Sequence, residues 1–143
     1  MTELSITIKK IVQAPIERVF DAWLDPKVLS KFMTPMKGMP EPEVENDPRV
    51  GGTFTIVMHA GDDNLPHTGE YLEIDRPNKL VFTWESNHSI EGSRVTLDFT
   101  DRGKSSTEVQ LTHVKFFDEQ AKSDHEGGWT CILETLGDYL EGQ

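Results

Sequence analysis

Leu4, Ile6 and Ile8 alternate with Ser5, Thr7 and Lys9. A period of two with β-branched residues predicts a half-buried strand. The period then changes. Pro15 suits the first turn of a helix. Ile16, Val19, Phe20, Trp23 and Leu24 follow at i, i+3, i+4, i+7 and i+8, so residues 15–24 predict a short amphipathic helix. Asp25-Pro26 stops it and caps a second short helix, with Val28, Leu29 and Phe32 inward. Pro35, Pro40, Pro42 and Pro48 mark residues 33–50 as a loop, with a short edge strand at Glu43–Glu45.

Gly51-Gly52 opens a strand with Phe54, Ile56 and Met58 on one face. Gly61-Asp62-Asp63-Asn64 reads as a turn, and Thr68–Ile74 as the next strand. A turn at Asp75-Arg76-Pro77-Asn78 leads into Leu80, Phe82 and Trp84. After a polar loop at 86–92, Val95, Leu97 and Phe99 alternate with Thr96 and Asp98. Asp101-Arg102-Gly103-Lys104 predicts a hairpin turn into Val109, Leu111 and His113. Short turns between strands predict an antiparallel sheet, because parallel neighbours need long crossovers. The chain ends in a helix with Trp129, Ile132, Leu133, Leu136 and Leu140 on one stripe. Ser123 and Glu126 have capping-box spacing for its start, and Asp118 offers an earlier one. The expected fold class is α+β: a curved antiparallel sheet wrapped around the terminal helix, with a cavity between them. No repeat or low-complexity segment divides residues 1–143, so one domain is expected.

The formal charge of −11 spreads few cations along the chain, and none form a stripe. Nucleic acid is not an expected partner, since phosphate binding needs clustered Lys and Arg. Cys131 is the single cysteine, so an internal disulfide is excluded. No secretory signal is visible at the start, and no apolar stretch reaches membrane-spanning length. The expectation is a soluble cytoplasmic protein without membrane insertion. A homodimer is left open.

Candidate chemistry is sparse. His125-Glu126-Gly127-Gly128-Trp129 begins like a zinc-protease motif, but Trp129 stands where the second His is required. His59, His67, His88, His113 and His125 have no metal spacing, so neither a metal nor a cofactor is expected. Gly51-Gly52 lacks the Lys-Ser or Lys-Thr of a phosphate loop. No Gly-x-Ser-x-Gly segment is present, and nothing activates Cys131. No catalytic residue is assigned. His113 falls in phase with Val109 and Leu111, and His125 precedes Trp129 by one helical turn. Both are placed to reach a cavity, or to be satisfied by backbone near the ends of their elements. Gly127-Gly128 is read as a close approach of the helix backbone, a kink, or a late helix start.

The blocks Ala14-Pro15 through Trp23 and Asp25-Pro26, Val50-Gly51-Gly52-Thr53-Phe54, and Gly69-Glu70-Tyr71-Leu72-Glu73-Ile74 carry a resemblance. So do Leu80-Val81-Phe82-Thr83-Trp84 and His125-Glu126-Gly127-Gly128-Trp129. Their order resembles the helix-grip fold of the START-like (SRPBCC) superfamily. Within it, the chain is similar to bacterial domains related to the activator of heat-shock-protein ATPase. Phe32 stands where relatives often carry Trp. The resemblance implies a deep cavity between sheet and C-terminal helix. The expected function is noncatalytic binding of a small, mostly apolar molecule, aromatic or lipid-like. The expected lining is Phe54, Met58, Tyr71, Trp84, Phe99, His113, His125, Trp129 and Leu133. A cyclase-like or hydrolase-like enzyme is the alternative, because holding a reactive molecule folded and dry needs few special residues. Chaperone contact is not expected, since one domain leaves no room for the additional N-terminal domain of the eukaryotic activators.

Overall fold

The alternating segments pair into a seven-stranded sheet in the computed structural model of the chain, which describes residues 5–34, 40–60, 62–85, 93–114 and 119–141. The strands are β1 (Ser5–Val12), β2 (Glu43–Asn46), β3 (Thr53–Ala60), β4 (Asp63–Asp75), β5 (Lys79–Thr83), β6 (Arg94–Gly103) and β7 (Ser106–Val114). Their spatial order is β1-β7-β6-β5-β4-β3-β2, and every pairing is antiparallel. Two short helices, α1 (Ile16–Ala22) and α2 (Pro26–Phe32), link β1 to β2. The long helix α3 (Glu119–Glu141) packs against β1 and α2. This is the α+β arrangement expected, with a curved sheet and a C-terminal helix.

Local chemistry explains the joints. The Asp25 side chain accepts from the Lys27 backbone N–H at 2.9 Å and caps α2. Gly51 adopts a positive φ of 86°, and the Gly51 N–H donates to the Tyr71 carbonyl, which carries the β3–β4 ladder past the end of β3. The β6–β7 hairpin turns at Lys104-Ser105, both with positive φ, between the paired Gly103 and Ser106. That tighter two-residue turn matches sheet twist better than the expected turn at 101–104, and an irregularity between Asp101 and Gly103 absorbs the difference.

Two other expectations change. β4 begins at Asp63 rather than Thr68, and it includes Pro66. Pro66 pairs with Val57 of β3, while the pairing of β4 to β5 starts only at Tyr71, so the proline costs no bond on its other side. α3 runs unbroken from Glu119 through both glycines, so Ser123 lies inside the helix and a late start is excluded. The alternative cap, Asp118, lies outside the described residues. At Gly127 an added methyl would meet open space, so this glycine marks no close approach.

One contiguous core joins both halves of the sheet to all three helices, with Phe20, Phe32, Leu97, Leu111, Trp129 and Leu136 among its fully enclosed side chains. Phe32 meets Trp23 edge-on at 5.0 Å, and Phe20 meets Phe99 at 5.2 Å. Such edge-to-face pairs add to the burial term.

Candidate ligand pocket

Strand alternation sends Phe54, Ile56, Tyr71 and Phe82 to one face of the β3–β4–β5 half of the sheet. Trp84 follows β5, and Phe54 packs against Tyr71, Phe82 and Trp84 at ring separations of 5.5, 5.4 and 6.1 Å. Trp23 ends α1, and Leu29 and Met33 come from α2 and its C-cap. Together Trp23, Leu29, Met33, Phe54, Ile56, Tyr71, Phe82 and Trp84 line an internal pocket. Its free space is about 10 Å³, room for roughly one water. Gly69 leaves the room that the Phe54 ring occupies. A methyl there would stand 2.5 Å from Phe54 Cζ and closer still to the Thr83 carbonyl oxygen.

The wall is apolar except for three hydrogen-bonding groups. Trp23 Nε1 and Trp84 Nε1 are buried and, among the described residues, have no hydrogen-bond partner. The Tyr71 hydroxyl accepts from Asn46 Nδ2 at 3.1 Å, and the same amide donates to the Leu24 carbonyl. Burial raises the Tyr71 pKa above its ordinary value, so the phenol stays protonated. His67 lies behind this wall, its ring 4.8 Å from Trp84 and its Nδ1–H donating to the Leu65 carbonyl.

A second polar cluster lies between β7 and α3. Trp129 Nε1 on α3 donates to His113 Nδ1 on β7 at 2.9 Å, and His113 Nε2 lies 2.5 Å from Ser93 Oγ. His113, Ser93 and Trp129 are all buried, and the His125 ring meets His113 edge-on at 5.1 Å. An indole N–H can only donate, so His113 Nδ1 accepts and the ring proton sits on Nε2, donating to Ser93. Burial first, and the neighbouring His125 second, lower the His113 pKa to about 3, which keeps it neutral. A serine nucleophile needs the opposite arrangement, with Nε2 unprotonated and accepting from the hydroxyl. The Ser93–His113–Trp129 chain is therefore built as a polar tie between sheet and helix.

The nine expected lining residues fall into neighbouring groups, joined where the Trp84 and Trp129 rings meet at 4.8 Å. Phe54, Tyr71 and Trp84 line the pocket, together with Trp23, Leu29, Met33, Ile56 and Phe82. Met58 is buried further along β3, and Phe99 packs on Phe20. His113, His125 and Trp129 form the second cluster, and Leu133 is enclosed in the core. The expectation placed the cavity between the sheet and the C-terminal helix. This pocket instead lies against α1, α2 and the β3–β4–β5 half of the sheet. A wider groove of about 450 Å³ lies outside, lined by Arg18, Asp21, Ala22, Asp25, Val28, Tyr139 and Leu140. Arg18, Asp21 and Asp25 on its walls are exposed, and Asp21 is held by Arg76 through two bonds of 2.8 and 2.9 Å. No group of three or more metal-ligating side chains occurs among the described residues. No helix among them is long and apolar enough to cross a membrane.

The family profile described as Activator of Hsp90 ATPase homolog 1-like protein matches residues 13–141. No protein of curated function matches the chain. Solved structures do. An AHSA1-like protein from Aeromonas hydrophila is 25% identical, with a TM-score of 0.82 over 97% of this chain and 93% of its own. A protein from Chromobacterium violaceum superposes with a TM-score of 0.82 at 22% identity, covering 96% of each chain. A Hsp90 activator from Plasmodium falciparum is 25% identical, with a TM-score of 0.78 and 96% of each chain covered. The core contacts, the strand order and the match over residues 13–141 agree: this chain belongs to the family of Activator of Hsp90 ATPase homolog 1-like proteins.

Proposed function

We propose that this protein binds a small, mostly apolar molecule, aromatic or lipid-like, in the pocket bounded by Trp23, Met33, Phe54, Tyr71 and Trp84. The family fold supports a ligand-binding domain in general terms. The observation that carries the finer reading is the pair of buried, unpartnered indole N–H groups in an otherwise apolar wall. Buried polar groups are nearly always satisfied, and a wall that leaves two donors open suits an occupant. The free space of about 10 Å³ means that a ligand enters only as a side chain moves aside. Met33 is the unbranched, flexible member of the wall and sits at the C-cap of α2, where the helix ends. Binding is noncatalytic in this reading, because the Ser93–His113 pair has the tautomer that cannot activate a hydroxyl.

A thermal-shift screen of small apolar compounds, confirmed by native mass spectrometry, tests the reading. A ligand at 100 times its Kd adds about 2.7 kcal/mol of stability. Reproducible stabilisation with a 1:1 complex is expected. A library that leaves the melting temperature unmoved and gives no complex at millimolar concentration contradicts it.

A second reading is contact with a chaperone, favoured by the family description and by the Plasmodium falciparum Hsp90 activator. An ATPase assay with purified bacterial chaperone separates the two. No stimulation is expected, and clear stimulation at micromolar protein would replace the ligand-binding reading with this one.

A further inference from the structure

The polar groups of the pocket are unequal in kind. Trp23 Nε1 and Trp84 Nε1 only donate. The Tyr71 oxygen already accepts from Asn46, which leaves its own proton to donate. The remaining lining side chains, Leu29, Phe54, Ile56 and Phe82, offer nothing, and the Met33 sulfur is a weak acceptor. Asn46 Oδ1 is also buried and, among the described residues, unpartnered; it accepts, but Asn46 is not part of the lining and meets it only through its amide on the Tyr71 hydroxyl. The lining itself is therefore rich in donors and poor in acceptors.

That imbalance selects among occupants. A water would accept from the indoles, but its own two hydrogens would find few acceptors there. A carboxylate would satisfy the donors, but a bare charge is costly in so apolar a site, and a protein of formal charge −11 repels anions on approach. A carbonyl or ether oxygen accepts, donates nothing and carries no charge. We propose that the pocket recognises a neutral molecule whose apolar body bears a carbonyl- or ether-type acceptor oxygen, with the indole N–H groups of Trp23 and Trp84 as its specificity-determining donors. This rests on the proposed binding reading and adds the chemical class of the ligand.

The chain has three tryptophans, so its ¹⁵N-labelled form gives three indole N–H signals, assigned with Trp23→Phe and Trp84→Phe. The probes are acetophenone and its hydrocarbon counterpart ethylbenzene. With acetophenone the Trp23 and Trp84 signals should move downfield. The Trp129 signal, already engaged by His113, should stay. Ethylbenzene should leave all three near their positions. The ratio of acetophenone to ethylbenzene affinity should fall roughly five- to tenfold in Trp84→Phe or Trp23→Phe, as expected for one lost hydrogen bond. The remaining indole signals report whether each variant is folded. Should both probes bind while the two signals respond alike to each, the acceptor inference is overturned and apolar binding stands. Should neither probe bind at millimolar concentration, both fall.

Discussion

His113 shows how one side chain ties helix, sheet and protonation together. It accepts from Trp129 on α3 and donates to Ser93 beside β6, and charging it would break the first bond and leave a buried cation. Its folded pKa of about 3 lies below the ordinary 6.5, so the unfolded chain binds the proton more readily. Stability from this group is complete above pH 6.5 and is lost as pH falls from 6.5 towards 3. At pH 5 the loss is about 2 kcal/mol. Between pH 7 and pH 5 the unfolding free energy from urea titrations should fall further in the native protein than in His113→Gln by about that amount, and parallel pH profiles would contradict it. Trp129→Phe keeps a ring but removes the hydrogen bond to His113 Nδ1, and should cost about 1–3 kcal/mol in denaturant unfolding at pH 7. The sequence placed both residues inward from their periods. It could not show that they meet, because strand and helix phases say nothing about which side chains face each other across a core. Ser93 was invisible, being a lone serine at the end of a polar loop.

Glycines separate what an element demands from what it tolerates. Gly69 on β4 sits under the Phe54 ring and against the Thr83 carbonyl, both backed by the sheet. Gly69→Ala should destabilise by about 3 kcal/mol, the upper end of overpacking, with the Phe54 ring displaced. Gly127 on α3 faces open space, so Gly127→Ala should stabilise by about 0.5–1 kcal/mol. Thermal unfolding of the two variants should move in opposite directions, and a shared sign would contradict the packing described for one of them. At this scale most elements were legible. The strands around Phe54, Phe82, Leu97 and Leu111 follow plain alternation, and Asp25-Pro26 announced the break between α1 and α2. The early start of β4 was not legible, because Pro66 reads as a breaker unless its unpaired side is known. The Lys104-Ser105 turn was not either, since neither residue is one that positive φ favours.

The molecule as a whole joins a filled core to a small pocket with room for roughly one water. Trp129, Leu133 and Leu136 close the interface with α3, and the small pocket lies between the α1 C-cap, α2 and the inner face of β3, β4 and β5. Sequence reasoning found Phe54, Tyr71 and Trp84 and placed the lining towards α3. The position of the pocket depends on how two seven-residue helices sit on the sheet, which their periodicity leaves unspecified. Met33 is the side chain whose movement admits a ligand in this account. Met33→Phe puts a rigid ring in its place and takes up the remaining space, while a ring beside Trp23 and Phe32 remains compatible with the core. The direct test is the dissociation constant of the strongest thermal-shift hit, measured by titration calorimetry for the native protein and for Met33→Phe. Affinity weaker by about tenfold or more in a folded Met33→Phe protein, a difference of about 1.4 kcal/mol, is the predicted result. Equal affinity in the two proteins would place the ligand elsewhere and contradict the pocket as its binding site.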